Sequence, residues 1–404
     1  MKDEYIDTFL NSFDYDIRKS NNGRWIDQKC TPDVVNIIAD CILKFVEEDN
    51  ARKFTTKDIW EFNYSDEIIK LYFSKPGTQK NSTKNEYDKF FAQPMELLAY
   101  ANVLFKEKQG RNNIYSVNDY ELLEYISSGD KWAFSFIFKY MQKVLKDSDM
   151  LSDFCYFFNN QDDDSYKSLK TNFENSIIKN TNINTQVECR RIFTKVINPL
   201  AFYYHKLGTA RGRLSKEEIV FSDLLYNRKN FRDIYSNKPK NISRNDWLEQ
   251  NVSDKPKIEI YFKESDRSKK FLKRFNDENR KGCTEVCVGK YKGPGTQMHH
   301  IFPKSRFPYI SFEYENLIAL SPSQHYLCAH TNNDTHTINR AYQKVILNEK
   351  TKRIKENIEN KHVQTIYSYD NLIKVINEGF TKDYETIDNN YSTVKSIIAE
   401  IYAD

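Results

Sequence analysis

Histidine is scarce in this chain, seven in 404 residues, yet four of the seven lie between His299 and His330. The residues around them restrict what this window can fold into. Thr284-Glu285-Val286-Cys287-Val288 reads as a strand, and Tyr291-Lys292-Gly293-Pro294-Gly295 carries the glycines and proline of a turn. Thr296 to Ile301 then reads as the return strand, ended by Pro303. After a loop, Asn316-Leu317-Ile318-Ala319-Leu320 is a short apolar segment. Ser321-Pro322 supplies an N-cap and a proline at the first helical position, so a regular helix is expected from there. A hairpin thus delivers the pair His299-His300, and the following helix delivers His325, with Asn316 between them. Neighbouring strand residues point to opposite faces, so a bend is needed to bring both rings to one site. Clustered histidines point to metal binding or catalysis. His330 reads first as an ordinary packed or surface histidine, with a spare ligand or a DNA contact as alternatives. His205, His336 and His362 lack comparable surroundings and read as ordinary.

The stretch HHIFPKSRFPYISFEYENLIALSPSQH, His299 to His325, resembles the HNH nuclease family. A His-His pair is followed by fifteen residues, Asn316, eight residues and His325, and Ile301, Pro303, Ser305 and the Asn316–Leu320 run also match. The family's site is a ββα-metal unit. The resemblance implies that His299 and His325 ligate a divalent ion, Mg²⁺ or Mn²⁺, and that His300 is the general base. It implies that Asn316 holds the loop, orients the base and contacts the metal. The reaction implied is phosphodiester hydrolysis to 5′-phosphate and 3′-hydroxyl ends. Imidazole suits the base's task because its ordinary pKa of about 6.5 leaves it mostly neutral at pH 7. Lys304 and Arg306 follow the base closely enough to hold phosphates. The chain departs from family members that carry two CxxC pairs around a structural zinc. It has Cys283-x₃-Cys287 and no second pair after Asn316, so zinc is not expected there, and Cys328 alone does not complete such a site.

Outside this window, charge is the strongest signal. The chain nets +4, from 61 Lys+Arg against 57 Asp+Glu, but Arg228 to Arg306 holds 20 against 10, a local +10 that leaves −6 for the remainder. A basic block on a nearly neutral chain suits a phosphate-rich partner, although a solvated lysine face gives the same count. Upstream, Thr31-Pro32-Asp33, Thr55-Thr56-Lys57-Asp58 and Ser65-Asp66-Glu67 open three helices, Pro94 marks a helix restart, and Val103 to Val117 reads as two short strands. Helices followed by a hairpin are the pattern of a winged helix, assigned to 1–128, with Lys84 and Lys89 as candidate DNA contacts and Lys80 nearby.

Residues 129–254 read as a helical middle region. Its Gly208–Lys216 stretch reads as a loop that offers Arg211 and Arg213 to phosphates. The nuclease unit is assigned to 255–340 and a helical tail to 341–404. The expected class is α+β, a mainly helical multidomain chain. Arg24–Lys29, Arg190–Phe193, Gly208–Lys216 and Asn227–Asp233 extend the resemblance to the HNH class of Type II restriction endonucleases. That implies double-stranded DNA as partner, a cognate DNA methyltransferase in the same system, and a dimer on DNA as one way to cut both strands. The alternatives are an HNH homing, nicking or anti-phage nuclease of lower specificity, or a winged-helix regulator with an inactive HNH unit.

Composition narrows the remaining classes. There is no run of about 18 apolar residues and no apolar segment behind a basic start, so neither a membrane span nor a secretory signal is expected. Seven cysteines without a framework fit a reducing compartment, and a cytoplasmic protein is the expectation. Aromatic residues at 14%, with only 11 Gly and 10 Pro, argue against a disordered chain.

Overall fold

The structure, a computed structural model, describes residues 3–49, 52–73, 75, 78, 84–226, 255–289, 291–330, 338–360, 362–384 and 388–403. Lys80, the Asn227–Asp233 stretch and His336 lie outside them. The described residues are mainly helical with three two-stranded antiparallel sheets, an α+β composition. Among the described residues, no helix is long and apolar enough to cross a membrane. The four segments expected from the sequence group into two compact units, Asp3–Trp247 and Leu248–Asp404.

In the first unit, the expected recognition segment and helical middle region share a core. The Tyr140 hydroxyl, on the Asp130–Asp147 helix, donates to the Trp25 carbonyl at 2.9 Å, and both side chains are fully buried. Asn36, on the Pro32–Asp49 helix, donates to the Ile126 carbonyl at 2.9 Å from a site with no exposure. The Thr56–Glu61 helix opens on a capping box in which Thr55 N–H donates to Asp58 at 2.7 Å and Asp58 N–H to Thr55 Oγ1 at 3.3 Å. The Asn63–Phe73 helix begins two residues ahead of Ser65.

Pro94 does not restart a helix. It lies inside a continuous Lys84–Tyr100 helix. Phe90, Phe91, Met95 and Leu98, on both sides of the proline, are completely buried, and their shared packing outweighs the lost backbone bond. The hairpin β1 (Leu104–Gln109) and β2 (Asn112–Val117) turns at Gly110 with φ +61°. Phe54 pairs antiparallel with Tyr115 of β2 through bonds of 2.9 and 2.7 Å, which ties the start of the Thr56–Glu61 helix to the hairpin.

The Gly208–Lys216 stretch is likewise not a loop. It forms a second hairpin, β3 (Leu207–Ala210) and β4 (Arg213–Glu218). Arg211 and Gly212 form the two-residue turn with φ of 52° and 78°, the left-handed pair that matches the right-handed twist of a tight hairpin. Asn198 grips this hairpin by bonding Thr209 N at 2.8 Å and Thr209 O at 3.0 Å.

The second unit begins with the long Lys255–Arg280 helix and continues through β5 (Gln297–His300) and β6 (Leu317–Leu320). These strands pair antiparallel, with His299 opposite Ile318 and His300 opposite Leu317. The expected strand at 284–288 is therefore not β5's partner. Glu285 occupies the outer edge of β6, where its N–H donates to Ala319 O at 2.8 Å and its carboxylate accepts from Ala319 N at 2.6 Å. A side chain thus takes the place of a ladder.

The C-terminal helices Arg340–Glu359 and Tyr369–Phe380 pack on this small sheet and its loop. Gln343 donates to the Ile301 carbonyl at 2.9 Å, and Ser368 N–H donates to Glu315 at 2.8 Å. The Phe302 ring lies 5.0 Å from Phe380 in the space left by Gly379, where a Cβ would collide with it.

Candidate metal centre

His299 and His300 end β5, and both are buried, at 3% and 8% exposure. Strand alternation sends them to different partners. The His299 ring lies 5.1 Å from His325 and 5.0 Å from His330, and the latter two are 4.7 Å apart. One ring nitrogen from each of the three lies within 4.8 Å of the others. His330, for which the sequence leaves a spare ligand as an alternative to an ordinary histidine, is therefore the third corner of the cluster.

The reason is the helix type. The expected regular helix after Ser321-Pro322 is a π-helix over Gln324–Ala329. On an α-helix, residues five apart diverge by about 140°. The wider i→i+5 turn returns to the same side, so His325 and His330 converge. Gln324 anchors the turn from a fully buried position, accepting from Ser321 N at 3.1 Å and donating to Val286 O at 3.0 Å.

The cluster fits a metal ion. His299 Nε2 and His325 Nδ1 are buried without a hydrogen-bond partner, and each such atom costs about 1–3 kcal/mol when nothing else satisfies it. Burial, reinforced by His325 and His330, holds His299 well below the ordinary histidine range. Burial and His330 push His325 down to about 4. These two imidazoles therefore carry lone pairs at neutral pH. A set of neutral nitrogen donors suits first-row divalent ions. No cysteine belongs to it: Cys283 and Cys287 are exposed and Cys328 is part-buried. His330→Ala is expected to weaken Co²⁺ binding to the full chain by at least about tenfold in calorimetry. An unchanged affinity would remove His330 from the ligand set.

His300 faces the Lys255–Arg280 helix and the loop between β5 and β6. Its Nε2 lies 2.8 Å from Ser265 Oγ and 3.1 Å from the Ser311 carbonyl. A carbonyl only accepts, so Nε2 carries the proton and Nδ1 keeps the lone pair. Burial, with the charge of Lys269, pushes the His300 pKa down to about 3 against the opposing Ser311 bond. The ring is thus a neutral base candidate with a defined tautomer.

Asn316 has no exposure. Its Oδ1 accepts from Phe302 N at 2.8 Å, and its Nδ2 donates to Phe302 O at 3.2 Å and Ile310 O at 3.0 Å. Both ends of the amide grip the backbone of the loop that carries Ser311. The Asn316 amide is thus engaged with that loop, and the third imidazole of the histidine cluster is His330.

Compared with protein-family models, curated proteins and solved structures, the chain matches none.

The remaining expected contacts divide between the units. Lys304 lines a cleft of about 250 Å³ together with His299, His300, His325 and His330. It pairs with Asp266 at 3.6 Å and sits 5.2 Å over the Phe262 ring. Arg306 is exposed, with its guanidinium 5.6 Å from the centre of the Phe307 ring. Arg211 and Arg213 are exposed at the β3–β4 tip, Lys84 opens the Lys84–Tyr100 helix, and Lys89 is exposed on it; all four belong to the first unit. Ser265 and Lys269 were not legible as site residues, because nothing in their own neighbourhood of the sequence marks which element their helix packs against.

Proposed function

We propose that this chain is a metal-dependent endonuclease of the HNH type that hydrolyses double-stranded DNA. The observation that carries the reading is a three-imidazole cluster beside a neutral histidine whose Nε2 is held by a carbonyl, all reached from the end of β5. The His299–His325 resemblance supports the same chemistry. His299, His325 and His330 would hold the divalent ion, which when bound stabilises the charge developing at the phosphate and at the leaving 3′-oxygen. His300 Nδ1 takes a proton from the attacking water. Ser311 and Ser265 fix the ring so that this lone pair keeps its orientation. Asn316 holds the loop that supplies Ser311. Lys304 offers its ammonium to a phosphate oxygen. The products are 5′-phosphate and 3′-hydroxyl ends.

The first unit is the recognition element in this reading. The order of the Pro32–Asp49 helix, the Phe54 pairing, the short helices, the Lys84–Tyr100 helix and the β1–β2 hairpin suits a winged helix. In that arrangement, the Lys84–Tyr100 helix is the principal helix and Lys89 faces DNA from it. Arg211 and Arg213, on the second hairpin, contact the backbone. A Type II restriction enzyme with a cognate methyltransferase is the form of the proposal.

The test is digestion of unmethylated phage DNA by the full chain with Mg²⁺ or Mn²⁺, beside His300→Ala and an EDTA control. Discrete fragments from the wild type alone support site-specific cleavage. A smear or nicks would move the reading to a nuclease of lower specificity. Tight, salt-sensitive binding without cleavage by either metal would leave a DNA-binding regulator.

A further inference from the structure

The Lys255–Arg280 helix brings to the cleft a residue that no motif marks. Ser265 and Lys269 are four apart, so they share one face of this helix. Ser265 touches His300, and Lys269 lines the same cleft as the histidines and Lys304. Lys269 is part-buried, and the opposite charge that acts on it is Asp266, one turn away on its own helix. The nearby carboxylate, Asp266, is 64% exposed and pairs with Lys304. Among the described residues, no acidic side chain lines the cleft itself.

Two ammonium groups therefore flank the imidazoles, with nothing of opposite charge among the described lining residues. Part-burying a cation beside a like charge is unfavourable when the nearest carboxylate is itself largely in solvent. Burial and the Lys304 charge accordingly pull the Lys269 pKa down, against the opposing charge of Asp266. An anion with several oxygens removes that penalty, and lysine binds phosphate as a point charge without demanding bidentate geometry.

We infer that Lys269 and Lys304 form a phosphate subsite beside the three-histidine cluster, with Lys269 contacting the phosphate that is cut. The identity of that phosphate as a DNA linkage rests on the nuclease reading above. Because the described residues of the cleft supply no carboxylate, phosphate and divalent ion each compensate the other's charge there, and each tightens the binding of the other.

The experiment uses the full chain loaded with Mn²⁺ and titrated with inorganic phosphate, followed by ³¹P line broadening. Wild type, Lys269→Ala, Lys269→Met and Lys269→Arg are compared, with thermal midpoints recorded. Lys269→Met keeps the stem's packing and separates a lost charge from a folding defect. Phosphate affinity is expected to fall at least tenfold in the Ala and Met variants and to recover partly in Lys269→Arg. Thermal midpoints are expected to hold or rise, since a part-buried charge has gone. Unchanged phosphate affinity in Lys269→Met would overturn the subsite. On DNA, the same variant is expected to lower kcat/KM at least tenfold and to reduce the salt slope of binding by about one. DNA cleavage that is indifferent to Lys269 would refute the subsite and leave the nuclease reading standing. Lys269-dependent phosphate binding in a wild type that cuts no DNA would do the reverse.

Discussion

His300→Ala is expected to lower the rate of DNA cleavage by about 10²–10⁴-fold, the usual worth of a positioned general base. Metal affinity is expected to stay within about twofold of wild type, because His300 commits its Nε2 to Ser311 and Ser265 rather than to the cluster. The pair of measurements is what discriminates. Single-turnover cleavage reads the base, and calorimetric titration with Co²⁺ reads the ligands. A parallel collapse of both would place His300 among the ligands and leave the base unassigned. The contrast with His330→Ala sharpens the test, since that variant is expected to lose metal affinity first and activity as a consequence.

Asn316→Ala is expected to destabilise the second unit by about 3–5 kcal/mol, because it strands several buried backbone groups at once. Phe302 N, Phe302 O and Ile310 O all lose their partner, and the side chain they meet is completely buried. Asn316→Asp is expected to be no better than the alanine. It keeps an acceptor for Phe302 N but turns a carboxylate toward two carbonyl oxygens in a site without water access. Denaturant unfolding of the full chain, followed through the transition that the substitution moves, measures this. A shift below about 1 kcal/mol would mean that the loop does not depend on its asparagine. Activity at temperatures where the variant remains folded is expected to fall as well, because Ile310 adjoins the Ser311 carbonyl that orients His300.

What could be read from the sequence was local. Pro32 and the Thr55–Asp58 box mark helix starts because a cap acts within one turn. The strand at Gln297–His300 and the histidine cluster are equally short-range signals. The losses came where distant groups decide. Pro94 stays inside a helix because buried aromatics on both sides overrule it. The partner of β5 was misassigned because Glu285 mimics a strand edge with its carboxylate, which no alternation pattern announces. Arg211-Gly212 looked like a loop because a turn of two left-handed residues depends on both flanking strands forming. Ser265 and Lys269 come from a helix whose packing partner is set by tertiary structure alone. For His330 the ligand role stays only an alternative in the sequence, since a spacing of five does not bring side chains together on an α-helix.

That spacing has a wider meaning. The distance along the chain between His325 and His330 and the pitch of the backbone that joins them form a matched pair. A relative one residue shorter here would bring the same two rings together with an ordinary helix, and a search for fixed intervals between histidines would treat the two chains as different. Insertion of a single residue is thus absorbed by a wider turn rather than by the loss of a ligand. The quantity preserved is where the nitrogens meet, and the number of residues between them is free to change whenever the backbone changes pitch to match.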